Sequence, residues 1–125
     1  MAWKMAKPLP FYRPRRSETW IVELDPTRGH EIQKTRHCLV IQSDVLNKRL
    51  PTFIIAPITS KVRDQWHPIG IILKKGEGGL AKESQVMLNQ IKAADITRFK
   101  RKTGKLSESA MKQINESLNF VLGLG

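Results

Sequence analysis

Two short stretches of the sequence carry side chains that could act on a phosphate group. In the first, PTRGHEIQKTRH, a charged loop ends in Arg36 and His37, where the apolar run CLVIQ begins. In the second, APITSKVR, an apolar run ends in Thr59, which is followed by Ser60 and Lys61. An arginine offers two parallel N–H donors and a fixed positive charge, and a threonine offers a small neutral donor. The two side chains would suit a phosphate if the fold brings them to one point.

Each of these residues also has an ordinary structural explanation. A strand-edge arginine is usually a solvated charge, and ITS commonly marks a strand that ends in a turn. The functional hypothesis therefore depends on whether the two strand edges are neighbours. The loop before Arg36 adds further groups that could bind an anion or move a proton: Arg28, His30, Glu31 and Lys34.

Other reactive patterns are missing from the sequence. It contains no CxxC, HExxH or GxSxG motif and no glycine-rich phosphate loop. His30, His37 and His67 are far apart along the chain, with no cysteine or carboxylate beside them at metal-ligand spacing. The GEGG segment lacks a strand–loop–helix setting and is predicted to be a plain loop. Metal-dependent hydrolysis and nucleotide-driven chemistry are poorly supported, so we expect neither a metal nor a cofactor.

The charge of the chain is concentrated in two blocks. Twenty-two Lys and Arg against eleven Asp and Glu give a formal net charge of +11 over 125 residues. Residues 1–16 carry five bases and no acid, and residues 91–105 carry six bases and one acid. Such blocks indicate a polyanionic partner, because neutralising phosphates releases counterions and steers encounter. A solvated basic surface is the simpler alternative.

The length suits one domain, and the remaining composition favours an ordinary folded protein. The single cysteine, Cys38, cannot form an internal disulfide and is predicted to be a small core residue. No apolar run is long enough to span a bilayer. Since the basic N-terminus also lacks the apolar centre of a signal peptide, we expect a cytoplasmic protein without a membrane partner.

The pattern of the chain predicts a mainly β fold with one helix. Residues 1–16 hold three of the seven prolines and are predicted to be a basic extended or disordered arm before a domain at residues 17–125. Short β-type runs follow at close spacing, which favours an antiparallel sheet or small barrel over βαβ units. The predicted strands cover residues 19–25, 37–42, 52–58, 67–73 and 84–91.

The C-terminal segment has the spacing of an amphipathic helix. Apolar residues recur with a helical period over about residues 108–122, with Ser107 as N-cap and Gly123 as the stop. Residues 44–49 could form a single helical turn. The predicted apolar stripe consists of Met111, Ile114, Leu118, Val121 and Leu122.

Several segments, in order, resemble the MazF/PemK family, the endoribonuclease toxins of bacterial toxin–antitoxin pairs. That family opens with a strand of the type IWxVxLDPTxGxE, a loop ending in Arg and an apolar strand, and this chain has TWIVELDPTRGHEIQKTRHCLVIQSD. The likeness covers about residues 17–123. Three later segments match as well: IIAPITS, GGLAKESQVMLNQIKAADITRF and GKLSESAMKQINESLNFVLGL.

The resemblance implies a fold, an activity and partners. The expected fold is a small SH3-like antiparallel barrel with a C-terminal amphipathic helix (the CcdB/MazF-like toxin fold), assembled as a homodimer. The expected activity is sequence-specific, metal-independent cleavage of single-stranded RNA by attack of its own 2′-hydroxyl, leaving a 2′,3′-cyclic phosphate and a 5′-hydroxyl. A cognate MazE/PemI-like antitoxin is the expected protein partner.

The resemblance also assigns site residues. The family's catalytic arginine falls on Arg36 and its hydroxyl residue on Thr59, the same pair that the chemistry selects. Glu31 or His30 could be the general base, and His37, which stands where the family usually has proline, is a third candidate. Asn89 replaces the usual acidic residue before Gln90, which occupies a base-contacting position. The residues expected to bind RNA are Arg28, His30, Ser60, Lys61 and Gln90.

Two other functions are compatible with parts of this pattern. A CcdB-like toxin on the same barrel would bind DNA gyrase without catalysis, and we would expect its determinants in the terminal helix. That helix ends in NFVLGLG, which has no distinctive feature. A general RNA-binding module would explain the charge but not the matched motifs.

Overall fold

The structure is a computed structural model that describes residues 12–24 and 35–125. Nine elements are formed by these residues, and four 3₁₀ turns lie between them, at Asp64–Trp66, Glu77–Gly79, Leu88–Gln90 and Ile96–Arg98. The elements are β1 (Glu18–Glu23), β2 (Thr35–Val40), α1 (Asp44–Asn47), β3 (Thr52–Thr59), β4 (Gly70–Leu73), β5 (Ser84–Met87), β6 (Lys92–Asp95), β7 (Phe99–Lys105) and α2 (Glu108–Leu122).

The strands form one antiparallel sheet in the order β4-β5-β3-β2-β1-β7, and β3 is its central strand. One edge of β3 pairs with β2. Its other edge is shared, because the first half pairs with β6 and the last two residues pair with β5. Within the described part of the chain, the end strands β4 and β7 have no ladder between them. The sheet is therefore curled like a barrel but not closed.

The curl buries β2 and β3 on both faces. Leu39 and Ala56 belong to a helix-side cluster that includes Ile114 of α2, whereas Cys38 and Phe53 belong to an aromatic cluster with Trp20 and Phe99. Neighbouring residues of one strand point to opposite faces of a sheet. This double burial explains why the sequences of these two strands are continuous apolar runs instead of alternating ones.

The α2 helix has the boundaries that the sequence predicts. The Ser107 hydroxyl accepts a hydrogen bond from the Ala110 N–H at 3.2 Å, and Gly123 ends the helix at φ 67°, a conformation that favours glycine. Met111 and Ile114 are buried as predicted, but Leu122 is 49% exposed. Leu122 is the last residue of the helix. The α1 turn is also confirmed.

Other boundaries differ from the sequence prediction. The predicted strand at residues 84–91 ends at Met87 and continues as a 3₁₀ turn, and the GEGG segment also contains a 3₁₀ turn. Strands β6 and β7 were missed, because residues 91–105 have the composition of a solvated basic tail. In β7, pairing to β1 satisfies the backbone groups along one edge, and Phe99 is its only buried residue. An edge strand needs no alternating apolar pattern to form such pairs.

Part of the predicted N-terminal arm packs on the sheet. Pro14 is fully buried, and the Arg13 Nε donates to the Asn47 carbonyl at 2.8 Å. Arg16 donates to the Ile41 carbonyl at 3.0 Å and to the side chain of Asn115 in α2 at 2.6 Å. Residues 1–11 lie outside the described residues, and the division at residue 16 stays a prediction.

Candidate functional site

A groove of about 730 Å³ opens where β2 begins and β3 ends. The register of these strands places Cys38 opposite Pro57 and Leu39 opposite Ala56, and Arg36 and Thr59 each lie two residues beyond the Cys38–Pro57 pair. The fold thus brings the start of β2 close to the end of β3, which the sequence alone did not predict. The groove is lined by Thr35, Arg36, His37, Ile58, Thr59, Ser60, Lys61, Leu80, Ala81, Lys82 and Ser84.

The end of β3 orients the Thr59 hydroxyl. The Lys61 backbone N–H donates a hydrogen bond to Thr59 Oγ1 at 3.1 Å, which closes a tight turn. Because the oxygen accepts from the backbone, the hydroxyl hydrogen is left to donate to a group in the groove. Thr59 is half-buried and Arg36 is exposed. A half-buried neutral donor and an exposed guanidinium therefore line the same groove.

The electrostatics of the groove favour an anion. Three cations line it, namely Arg36, Lys61 and Lys82, and none of the described lining residues is acidic. Closely placed cations with no compensating carboxylate attract phosphate groups. Lys82 was not predicted from the sequence. It lies far from Thr59 along the chain, and it reaches the groove because Thr59 of β3 pairs with Gln85 of β5.

His37 is half-buried in the lining of the groove. Its pKa is lowered from the ordinary histidine value, first by burial and then by repulsion from the Arg101 guanidinium. Both effects disfavour the imidazolium, so the neutral ring is the main form at neutral pH. A neutral imidazole can accept a proton from a nearby hydroxyl.

Cys38 is not a reactive group of this site. It is fully buried, and burial raises the pKa of its thiol to about 12. A protonated thiol is neither a nucleophile nor a metal ligand. The prediction that Cys38 is a core residue is confirmed.

The other predicted site residues are distributed as follows. Ser60 and Lys61 line the groove with Thr59. Gln90 is exposed on the 3₁₀ turn after β5 and is not among the lining residues of the groove. Predictions for Arg28, His30 and Glu31 fall outside the described residues. In the part of the chain that the structure describes, no cluster of His, Cys, Asp and Glu side chains could hold a metal ion.

Comparison with known proteins identifies the family. A family model described as "PemK-like, MazF-like toxin of type II toxin-antitoxin system" matches residues 15–122. The chain belongs to this toxin family. A curated relative, "Endoribonuclease MazF" of Staphylococcus saprophyticus, is 34% identical over 110 residues, which cover 88% of this chain and 92% of the relative. The resemblance inferred from the sequence is confirmed.

Solved structures of toxins have the same fold. The structure titled "MazE-MazF (Form-II) from Deinococcus radiodurans" matches with a TM-score of 0.77 at 19% identity, over 92% of this chain and all of that one. "Mycobacterium tuberculosis toxin MazF-mt6" matches with a TM-score of 0.73 at 22% identity, over 86% of this chain and 98% of that one. The predicted fold class, a mainly antiparallel β toxin fold with a C-terminal helix, is confirmed. None of the described helices is both long and apolar enough to cross a membrane.

Proposed function

We propose that this toxin is an endoribonuclease that cuts single-stranded RNA without a metal ion. The observation that carries the proposal is the groove in which Arg36 and Thr59 meet, with three cations and no acid among its described lining residues. The name of the Staphylococcus saprophyticus relative supports the same activity. A cytoplasmic location, where messenger RNA is available, is part of the proposal.

The proposed reaction is an internal transfer on the RNA phosphate. The 2′-hydroxyl oxygen forms a bond to the adjacent phosphorus, its proton passes to a base, and the bond from phosphorus to the 5′-oxygen breaks as that oxygen takes up a proton. The products are a 2′,3′-cyclic phosphate and a 5′-hydroxyl. Charge gathers on the non-bridging oxygens in the transition state, where preorganised donors act most strongly.

Each groove residue has a role in this reaction. Arg36 donates to the non-bridging oxygens, and the oriented Thr59 hydroxyl is the second donor. Lys61 and Lys82 hold the charge of neighbouring phosphates. Further contacts to the RNA are proposed for Ser60, for the exposed amide of Gln90, and for two loop residues outside the described part, Arg28 and His30.

Three side chains are candidates for the base. His37 lies in the groove, and its lowered pKa keeps the ring neutral and able to accept a proton. Glu31 and His30, which both match loop positions that resemble the family's RNA-contacting ones, belong to the loop outside the described residues. The dependence of the cleavage rate on pH separates the histidines from the carboxylate.

The family description also implies a protein partner. Two solved relatives are titled as complexes, one as "MazE-MazF" and one as an "Endoribonuclease in complex with its cognate antitoxin from Mycobacterial species". We propose a cognate MazE/PemI-like antitoxin whose acidic, extended segment lies along this chain, which has a net charge of +11. A homodimer, implied by the resemblance, is proposed with it.

The test is cleavage of a long natural RNA by the purified protein in the presence of EDTA. We expect discrete cuts with cyclic-phosphate ends, and a loss of about 10²–10³-fold in rate for Arg36→Ala, the effect of removing one preorganised donor. Arg49→Ala is the matched control, since Arg49 is also exposed but does not line the groove. Both variants are expected to keep the wild-type folding stability.

Two results would contradict the proposal. Loss of cutting in EDTA would mean that a metal is required, and a near-normal rate for Arg36→Ala would remove the central donor. The CcdB-like alternative is not favoured by the family match. It predicts a protein that leaves RNA intact and inhibits DNA gyrase, so a gyrase supercoiling assay completes the comparison.

A further inference from the structure

An aromatic ring is presented to solvent on the sheet face formed by β1 and β7. Tyr12 stacks on Trp20, with ring centroids 6.2 Å apart and planes inclined by 22°. Trp20 is in turn packed edge-on against Phe99 at 5.7 Å. Trp20 is only 7% exposed, whereas Tyr12 is 47% exposed. The buried rings thus support Tyr12 from below and leave much of it available for contact.

The exposed ring is surrounded by positive charge. Lys102 Nζ lies 5.1 Å and Arg15 Cζ lies 5.6 Å from the centroid of the Tyr12 ring. A shallow groove of about 420 Å³ at this point is also lined by Lys100 and Arg101, and its described lining contains no acid. An aromatic face beside lysine and arginine is the arrangement on which unpaired nucleobases stack while the cations hold the phosphates.

Nearby carboxylates offset part of this charge, because Glu18 pairs with Lys102 and Glu23 pairs with Lys100 at 3.4 Å, but Glu18 is not itself exposed to a ligand. Glu18 is 2% exposed, and both of its carboxylate oxygens have partners. It accepts hydrogen bonds from the Tyr12 hydroxyl, from Trp20 Nε1 at 3.0 Å and from the Arg15 N–H at 2.8 Å, and it pairs with Lys102 at 3.1 Å. Glu18 therefore fixes the position of Tyr12 without being presented to a ligand.

The aromatic platform, defined as Tyr12 on Trp20, lies close to the groove that Arg36 and Thr59 line, which is called the cleavage groove below. Ile21 of β1 pairs with His37 on one side and with Arg101 on the other, so these two residues are two strand spacings apart, about 10 Å. His37 lines the cleavage groove, and Arg101 lines the groove of about 420 Å³ beside Tyr12. A single-stranded site of about 4–16 nucleotides, the range for small barrel domains, covers both.

We propose that Tyr12, supported by Trp20 and flanked by Lys102 and Arg15, is a stacking site for a nucleobase of the bound RNA outside the cleaved step. This inference rests on the proposed ribonuclease function and adds a binding site to it. Tyr12 precedes residues 15–122, the segment that the family model matches, whereas Trp20, Arg15 and Lys102 lie within it. Stacking is tolerant of sequence, and the platform therefore adds affinity more than base preference.

The test measures RNA binding in an Arg36→Ala background, in which cleavage is expected to be about 10²–10³-fold slower. The probe is a fluorescein-labelled single-stranded RNA that the wild type cuts. It is longer than a typical single-stranded binding site, which covers about 4–16 nucleotides. We expect Tyr12→Leu to weaken binding roughly 5- to 150-fold, the range for loss of one stacked base. Phe120→Leu is the matched control, because Phe120 is 65% exposed on α2 and lies outside the platform.

A second variant separates the stacking of Tyr12 on RNA from its role in holding the N-terminal segment in place. Tyr12→Phe keeps the ring and loses only the hydroxyl that donates to Glu18, so we expect it to bind RNA as the parent does. RNA carrying 5-iodouridine is expected to crosslink to the Tyr12 peptide under ultraviolet light. Equal affinities for Tyr12→Leu and Phe120→Leu would overturn the proposal. It would also be overturned if Tyr12→Phe lost as much affinity as Tyr12→Leu.

The outcomes distinguish this inference from the function on which it rests. A wild-type protein that neither cuts nor binds RNA refutes the proposed function itself. A wild type that cuts RNA while Tyr12→Leu binds normally refutes only the platform. If Tyr12→Leu instead changes the oligomeric state in light scattering, the surface is a self-association site and the stacking proposal is wrong.

Discussion

Replacing Glu18 by glutamine tests how the fold holds its N-terminal segment. The Glu18 side chain is 3% exposed, and one of its oxygens accepts from the Arg15 N–H and Trp20 Nε1 while the other accepts from Tyr12 and pairs with Lys102. Glutamine keeps the shape and one acceptor oxygen but loses the charge. It also directs an amide N–H toward the Lys102 ammonium, which must move into solvent.

The expected cost follows from these contacts. A hydrogen bond to a charged group contributes about 1.5–3 kcal/mol and a neutral one about 0.5–1.5 kcal/mol, so the bonds from Arg15 and Trp20 to the remaining oxygen each lose about 1 kcal/mol, and the Tyr12 hydroxyl loses its acceptor oxygen. The ion pair adds at most about 1 kcal/mol, because the Lys102 side chain is 42% exposed. We therefore expect the free energy of unfolding to fall by about 2–4 kcal/mol, a large part of the 5–15 kcal/mol typical of a domain.

The effect depends on pH with a definite sign. Burial alone raises the pKa of Glu18, but the hydrogen bonds from Tyr12, Trp20 and Arg15 outweigh it, and the pKa in the folded protein is below the ordinary value. A lowered carboxyl pKa stabilises the fold above the unfolded pKa of about 4.3 and loses this effect as pH falls through the folded value. The difference between wild type and Glu18→Gln should therefore be full at neutral pH and shrink in acid.

The assay is urea unfolding followed by tryptophan fluorescence at several pH values. With a slope of about 2 kcal/mol per molar urea, we expect Glu18→Gln to shift the midpoint by about 1–2 M at neutral pH. Glu23→Gln is the matched control on the same strand, since the Glu23 side chain is 29% exposed and its ion pairs with Arg98 and Lys100 are 3.8 and 3.4 Å long. It should cost under about 1 kcal/mol. Equal effects of the two substitutions, or a Glu18→Gln difference that persists unchanged in acid, would refute this reasoning.

Two further predictions concern the cleavage groove. Thr59→Val should lower the cleavage rate by about 10²-fold. Thr59→Ser keeps the hydroxyl that accepts from the Lys61 N–H, and its rate should stay near that of the wild type. Equal rates for the two variants would show that Thr59 is not a donor in the reaction. If His37 is the base, kcat/KM should fall as pH drops through a pKa below about 6.5, and His37→Gln should abolish this limb. If the fall of kcat/KM in acid persists in His37→Gln, the base is His30. If the fall is instead centred near about pH 4.3, the base is Glu31.

Much of the fold could be predicted where its causes are local. Ser107 and Gly123 fix the ends of α2 through contacts within a few residues, and the sequence places both correctly. The apolar runs of β2 and β3 were also recognisable. The run leading into β6 and β7 was not, because those strands form by pairing to distant backbone and carry few apolar side chains.

The candidate site, like the fold, could be predicted from the sequence only in part. Arg36 and Thr59 were selected by the chemistry of their side chains and by the family resemblance, since both signals reside in short motifs. Their meeting in one groove depends on the β2–β3 register. Lys82 could not have been predicted, because nothing near it in the sequence indicates that β5 pairs with the end of β3.

The sequence alone determined the family, the helix and the side chains suited to hold a phosphate. Periodicity, capping and motif spacing act over a few residues and can be read directly from the chain. The tertiary structure decided which strand edges face each other, and so joined Lys82 to the groove and seated Tyr12 on Trp20. These contacts arise from pairing and packing between distant segments, and the local pattern of either segment does not specify its partner.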